Sequence, residues 1–317
     1  MMRAMILAAG HGERLKPLTD ELPKPAVPIG HRPAVWYALD CLYQHGIREA
    51  TINTFHLAGE IRRHLDPHVP SGMRVHYLQE QTLLGTAGGL RNACAQLLSP
   101  TEPDSPVVVF NGKLVFFPDL QLAVAEHNKR RAFATMILRH RPPASAYGLV
   151  EIDAQSRVRR ILGDPQFPLA DARATMFTGV HLLSADALKQ LPAQGCIIRD
   201  GYLRWLEEGR VIHGHVSHAP WNEVSTVADY HAANMALIDG HIQWPGLASP
   251  RPIHASAEIG AGATITHSFV GAHSVVADGV VVDRCVVWPN SHVRASAIQA
   301  IITPRITLHP PNALQQP

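Results

Sequence analysis

Residues 4–28 read "AMILAAGHGERLKPLTDELPKPAVP". The first six are an unbroken apolar run, the pattern of a buried strand. Gly10 and Gly12 follow at once. They let backbone N–H groups approach phosphate oxygens with no Cβ in the way. Arg14 offers a planar fork for phosphate, and Lys24 a point charge for a second one. Pro17, Pro23, Pro25 and Pro28 stiffen the loop, which lowers the entropy lost when a triphosphate docks. A bare Pro-rich turn does not account for two glycines, an arginine and a lysine around one strand end.

Outward from this stretch, to about residue 140, short apolar runs alternate with amphipathic ones. "PAVWYALDCLYQHG" (33–46) predicts a helix, with Val35, Leu39, Leu42 and Tyr43 on one face and Gly46 at its stop. "EATINT" (49–54), "RVHYL" (74–78) and "PVVVF" (106–110) predict strands. "LAGEIRRHL" (57–65), "TAGGLRNACAQLL" (86–98) and "PDLQLAVAEHNKR" (118–130) predict helices. The βαβα rhythm implies a parallel sheet with right-handed crossovers. Between about 133 and 225 the pattern is mixed: "AFATMIL" and "GLVEID" predict strands, "SADALKQL" and "IRDGYLRWLEEG" helices. A Pro/Gly-rich linker is expected at 241–252.

Beyond it the periodicity changes. Ile253, Ile259 and Ile265 are six apart, as are Val270, Val276 and Val282; Val287 and Val293 continue the series, and successive sets are offset by 17. Six-residue spacing with small residues between, as in "ASAEIGAGATI", predicts a hexapeptide β-helix over 253–317, about three coils long. So short a solenoid is near the minimum for stability, which points to packing against the first domain or another subunit; since hexapeptide helices commonly build larger assemblies, a homo-oligomer through the β-helix is expected.

The 317 residues are 46% hydrophobic, ample for a core, and the net charge is +2. With no bulk charge and only 6% aromatic residues, neither nucleic acid nor a membrane surface is an expected partner. No apolar run approaches membrane-spanning length, and no separate signal-peptide region is expected ahead of the first strand. Cys41, Cys94, Cys196 and Cys285 are widely spaced, which argues against zinc sites and disulfides and fits the cytoplasm. Of the 20 histidines the tightest group is His213, His215 and His218. A solvated strand face is expected for it rather than a metal site.

The motifs together resemble the sugar-1-phosphate nucleotidyltransferases, whose signature is Gly-x-Gly-Thr-Arg-x-x-Pro-x-Thr followed by Pro-Lys-Pro. "GHGERLKPLT" and "PKP" match it at every position but one, and the resemblance runs on through "INTFHLAGEI", "QEQTLLGTAGG", "FNG", "YGLVEID", "FTGVHLLS" and "WNEVSTVADY". It implies an α/β, Rossmann-like mononucleotide-binding domain over 1–240, with a mixed, mainly parallel sheet. A left-handed parallel β-helix also occurs in the family, particularly among enzymes resembling mannose-1-phosphate guanylyltransferases. The implied reaction joins an NTP and a sugar 1-phosphate into an NDP-sugar with release of pyrophosphate, assisted by Mg²⁺. By resemblance Leu7, Ala8, Ala9, Gly10, Gly12 and Glu13 lie along the nucleotide and Arg14 holds the triphosphate. Lys24 approaches the α-phosphate and the incoming sugar phosphate. Glu80 supports the base-binding loop of Gly85 and Thr86. Gly148, Glu151, Thr178 and Gly179 lie near the sugar.

The chain departs from the family at charged positions. Asn-Gly-Asp is Asn111-Gly112-Lys113 here, so a cation stands where the main metal ligand would be. The second metal aspartate becomes Glu223, the Glu-Lys-Pro that meets the sugar phosphate becomes Gly163-Asp164-Pro165, and the signature threonine is Glu13. A protonated lysine cannot ligate Mg²⁺ and repels it. Three readings follow. Lys113 neutralises phosphate directly, with Glu13 pairing to it or joining Glu223 on a metal. Or the protein is a degenerate relative that binds nucleotide or NDP-sugar and regulates or scaffolds a partner. Or Lys113 is solvated and other groups hold the metal.

Overall fold

The computed structural model describes residues 2–99, 102–142, 147–164, 166, 169–247 and 251–310. The expected linker at 241–252, the segment around Pro165 and the end of the expected β-helix lie partly outside them. The chain forms two units, Met1–His11 with Val35–Trp221, and Gly12–Ala34 with Asn222–Pro317.

The first unit is built on a 9-stranded sheet. Its strands are β1 (Arg3–Leu7), β2 (Glu49–Thr54), β3 (Arg74–Gln79), β4 (Val107–Asn111), β5 (Ala134–His140), β6 (Leu149–Ile152), β7 (Val158–Gly163), β8 (Arg173–Leu183) and β9 (Ile212–Val216). β1 pairs in parallel with β2 on one side and β4 on the other, and β3 continues beyond β2. β8 runs antiparallel to β4, β5 and β6. Successive residues Ala4, Met5 and Ile6 of β1 and Val107, Val108, Val109 and Phe110 of β4 are all buried, so both faces are covered; on one of them Met5, Val107, Val109 and Met136 pack with Leu90, Leu188, Tyr202 and Trp205 from the covering helices. That two-sided burial is why the central strands read as continuous apolar runs. After β1 the chain lays β2 and β3 to one side, then returns to place β4 on the other. The carboxyl ends of β1 and β4 therefore flank the topological switch point, where open α/β sheets take their ligands.

Three local expectations are corrected. After the helices α1 (Ala34–Gln44) and α2 (Ala58–Leu65), the stretch expected as one helix at 86–98 forms two, α3 (Gly85–Asn92) and α4 (Cys94–Leu97), divided after Asn92, a poor helix former. "IRDGYLRWLEEG" begins as a π-helix, Ile197–Leu203, before α-helical Arg204–Glu207. Within it Tyr202 Oη meets His181 Nδ1 at 2.8 Å, so the wider winding coincides with a buried polar pair. His213 and His215 are not solvated: they are 2% and 7% exposed. The helix Leu120–Lys129 packs against β9 and brings the Glu126 carboxylate within 3.1 Å of His213 and 2.8 Å of His215.

In the second unit the 17-residue offset becomes a stacking register. Ile253 bridges Val270, Ile259 faces Val276, Ile265 faces Val282 and Val270 faces Val287, all in parallel. The next turn is shorter: Val282 faces Ala297 and Val287 faces Ile302, fifteen residues on. Val270, Val276, Val282, Val287, Val293 and Ile302 form the interior. Thr307–Leu308 then folds back antiparallel on Ile301–Ile302. Between this parallel β-helix and the Pro-rich loop lies the helix Val227–Ile238, started by a capping box of Thr226 and Asp229. Tyr230 Oη donates to the Pro28 carbonyl (2.6 Å) and accepts from Trp288 Nε1 (2.8 Å). Asn234 accepts from the Gly30 amide (2.8 Å), and Thr303 donates to Glu21 (2.5 Å). The loop is thus held from behind by the β-helix.

Candidate active site

At the switch point of the first unit, polar groups are few and each is tied down. Asn53, buried near the end of β2, accepts the Ala8 amide at 2.8 Å and donates to Glu80 Oε1 at 2.7 Å. The other Glu80 oxygen accepts the Leu84 amide at 3.2 Å. One relay thus runs from the end of β1 to the turn before α3. Gly85, the first residue of α3, has φ +74°, and a Cβ there would lie 2.3 Å from the Gly195 carbonyl. Thr86 Oγ1 accepts the Ile197 amide at 2.8 Å. The loop expected to meet the base is therefore pinned to Gly195–Ile197 on one side and to Glu80 on the other.

Leu7 accepts the Gly112 amide at 2.9 Å, so the Asn111-Gly112-Lys113 turn lies against the end of β1. Ala8 and Ala9 are buried, whereas Gly10 is exposed. A Cβ on Gly10 would meet no atom within 4 Å. Lys113 is partly buried.

Across the sheet, Thr178 and Gly179 occupy an irregularity in the pairing of β8 with β5. The Thr178 hydroxyl donates to the Ile137 carbonyl at 2.7 Å. Gly179 has φ +89°, and a Cβ there would sit 2.5 Å from Asn111 Nδ2. Gly148 precedes β6 and is exposed. Glu151 is 1% exposed, with one oxygen bonded to Arg160 Nε and the other accepting the Leu169 amide at 2.7 Å. A sugar hydroxyl would have to displace one of these partners.

The loop residues of the second unit converge on Ser225. Lys24 Nζ donates to its carbonyl at 3.1 Å, Arg14 Nη2 approaches its hydroxyl at 3.5 Å, and that hydroxyl donates to Glu223 at 2.7 Å. Gly12 has φ +75°, and a Cβ there would lie 2.8 Å from Thr19 Cγ2, so the turn itself demands glycine. Glu13 turns to Lys16 at 3.0 Å, with both side chains exposed, and this hydrogen bond raises the lysine's pKa.

Among the described residues no group of three or more His, Cys, Asp or Glu side chains converges to hold a metal ion. Lys113 stands where an acid is expected, Glu13 is turned to Lys16, and Glu223 already accepts the Ser225 hydroxyl. One such carboxylate beside a lysine and an arginine does not fit a protein-held Mg²⁺. Asn53, Ser225 and Arg139 were not singled out in the sequence. A side-chain amide at the carboxyl end of the expected strand "EATINT" was the available signal for Asn53; Ser225 had none.

The family model described as nucleotidyl transferase matches residues 3–240. The chain is 27% identical over 335 residues to a UTP–glucose-1-phosphate uridylyltransferase of Synechocystis sp., covering 93% of this chain and 85% of that one. It is 26% identical over 303 residues to a mannose-1-phosphate guanylyltransferase of Mycobacterium tuberculosis, covering 93% and 82%. It is 23% identical over 325 residues to a glucose-1-phosphate thymidylyltransferase of Streptomyces griseus, covering 95% and 89%. The crystal structure of HddC from Yersinia pseudotuberculosis complexed with GMP-PN superposes with a TM-score of 0.62 at 22% identity, over 74% of this chain and 98% of that one, a likeness of fold.

Proposed function

The chain belongs to the nucleotidyl transferase family, and on that premise we propose that it makes a nucleotide sugar from an NTP and a sugar 1-phosphate. A phosphate oxygen of the sugar 1-phosphate attacks the α-phosphorus, the bond from that phosphorus to the bridging oxygen breaks, and pyrophosphate leaves. The protein's task is alignment and charge neutralisation. The relatives' names pair guanylyl transfer with mannose, and uridylyl and thymidylyl transfer with glucose. The "LGTAGG" loop favours GTP with mannose 1-phosphate.

The observation that carries the reading is the space at Gly10. Nothing in the protein's own packing requires a glycine there, yet it stands just past β1 at the switch point. A phosphate approaching the backbone supplies the missing requirement. In this reading Gly10, Gly12 and Arg14 take the triphosphate, and Lys24 takes the α-phosphate and the incoming phosphate. Gly85 and Thr86 meet the base, with Glu80 holding their turn; Gly148, Thr178 and Gly179 border the sugar. Lys113 offsets phosphate charge directly, and magnesium arrives with the nucleotide as part of the substrate. Assembly of copies through the β-helix belongs to the same reading, supported by apolar Val281 and Ile298 on its surface, 39% and 60% exposed. Among the described residues no helix is long and apolar enough to cross a membrane.

The test is pyrophosphate release by the purified protein with each of the four common NTPs, MgCl₂ and glucose or mannose 1-phosphate. Release with one pair is expected. Nucleotide binding without release from any pair would replace the enzyme with a nucleotide-binding relative.

A further inference from the structure

We propose that Arg139 holds an oxyanion of the acceptor sugar, on a platform formed by Trp221 and Tyr147; this rests on the transferase reading above. Arg139 is the next-to-last residue of β5, two beyond Ile137, whose carbonyl accepts the Thr178 hydroxyl. Its guanidinium lies over the Trp221 indole, with Cζ 5.3 Å from the ring centroid. That indole is fixed on two sides. Nε1 donates to the Thr178 carbonyl at 3.0 Å, and the Tyr147 ring meets it edge-on at 5.2 Å.

Among the described residues Arg139 has no carboxylate partner, and its one hydrogen bond, to the Trp221 carbonyl, is 3.5 Å long. The arginines of β7, by contrast, are engaged: Arg160 with Glu151, and Arg159 with Asp153 at 3.3 Å. A part-buried guanidinium, held over an aromatic face with most of its five N–H donors unspent, is prepared for a planar or tetrahedral oxyanion. The place is also right. The Thr178–Gly179 turn that anchors Trp221 abuts Asn111, two residues before Lys113. Glu151, on the same sheet, has one oxygen bonded to Arg160. The oxyanion is either the acceptor's 1-phosphate or a carboxylate carried on its ring.

The experiment is calorimetry on the full chain with glucose 1-phosphate, mannose 1-phosphate and glucuronate as probes, and with NTP as control, for wild type, R139M and R139K. R139M is expected to weaken a sugar anion at least tenfold while Tm and NTP affinity hold. R139K, which keeps the charge without the fork, should fall between. Loss of the hexose 1-phosphates assigns Arg139 to the phosphate, and loss of glucuronate alone assigns it to a ring carboxylate. If R139M binds every probe as wild type does, or wild type binds none, the proposal is overturned. A wild-type protein that binds a sugar anion but no NTP instead overturns the transferase reading.

Discussion

Gly10 and Gly12 look alike in sequence, and the structure separates them into two predictions of opposite kind. At Gly12 a side chain would stand in the left-handed region, φ +75°, with its Cβ 2.8 Å from Thr19 Cγ2. The conformational penalty alone is roughly 1–2 kcal/mol, and the overlap adds to it. Gly12→Ala should lower Tm whether or not a ligand is present. At Gly10 the added Cβ has open space around it. Gly10→Ala should leave the fold intact, or stabilise it by about 0.4–1 kcal/mol through the lost freedom of the unfolded chain. Its cost should appear with a ligand: a methyl in the path of a phosphate oxygen forfeits a charge-assisted hydrogen bond, about 1.5–3 kcal/mol. That is roughly a ten- to hundred-fold rise in NTP Kd. Thermal unfolding and NTP titration on both variants make the check. A Gly10→Ala protein that binds every NTP as tightly as wild type would refute the cradle.

Asn53→Ala removes the hub between Ala8 and Glu80 and leaves a buried amide and a buried carboxylate oxygen without their partner. About 2–5 kcal/mol of stability should be lost in urea unfolding, and NTP binding should weaken with it. Lys113→Ala should lower kcat more than it weakens nucleotide binding, and Lys113→Asp should make turnover more dependent on free Mg²⁺; identical magnesium titrations for wild type and K113D would remove Lys113 from the chemistry. Burial pushes His127 down to about 4 and His181 down to about 3, so both are folded in the neutral form. Their contribution is complete above the unfolded value near 6.5 and is lost as pH falls toward those depressed values, because the unfolded chain then binds more protons. Stability should drop by up to about 1.4 kcal/mol per pH unit per histidine between pH 6 and 4, and a flat profile there would contradict their burial. Deleting residues 251–317 removes Trp288 and Thr303 from behind the loop. The truncated protein should be cut by trypsin within residues 12–34 much faster than the full chain, and equal cutting rates would show that the braces carry no weight.

What was legible in the sequence follows from how local each signal is. The run before Gly10 had to be a buried strand, and the aliphatic positions 253, 270 and 287 had to stack, because strand burial and coil repeat are written in short-range patterns. The π-turn at Ile197–Leu203 was not legible, since it coincides with a distant pairing, His181 with Tyr202, and the break after Asn92 is marked in the sequence by only one poor helix former. The burial of His213 and His215 depends on Glu126 arriving from another helix. At the candidate site, the glycine and lysine types were the legible signal, in the loop proposed to take the phosphates. Ser225, on which Arg14 and Lys24 converge, stood more than two hundred residues away. Arg139 lacked any motif, because what singles it out is the tryptophan beneath it and, among the described residues, the lack of a carboxylate paired to it.

The braces behind the loop have a consequence for the order in which the chain is made. Glu21 and Thr303, which meet by a hydrogen bond, are separated by 282 residues, and Pro28 and Tyr230 by 202. Contacts this distant close last, since the chain entropy between them must be given up first. On the ribosome the early sheet can assemble while residues 12–34 still wait for the final coils to emerge. A nascent chain would therefore acquire its scaffold well before its grip, and translation stalled short of the last coil would leave the loop without its backing.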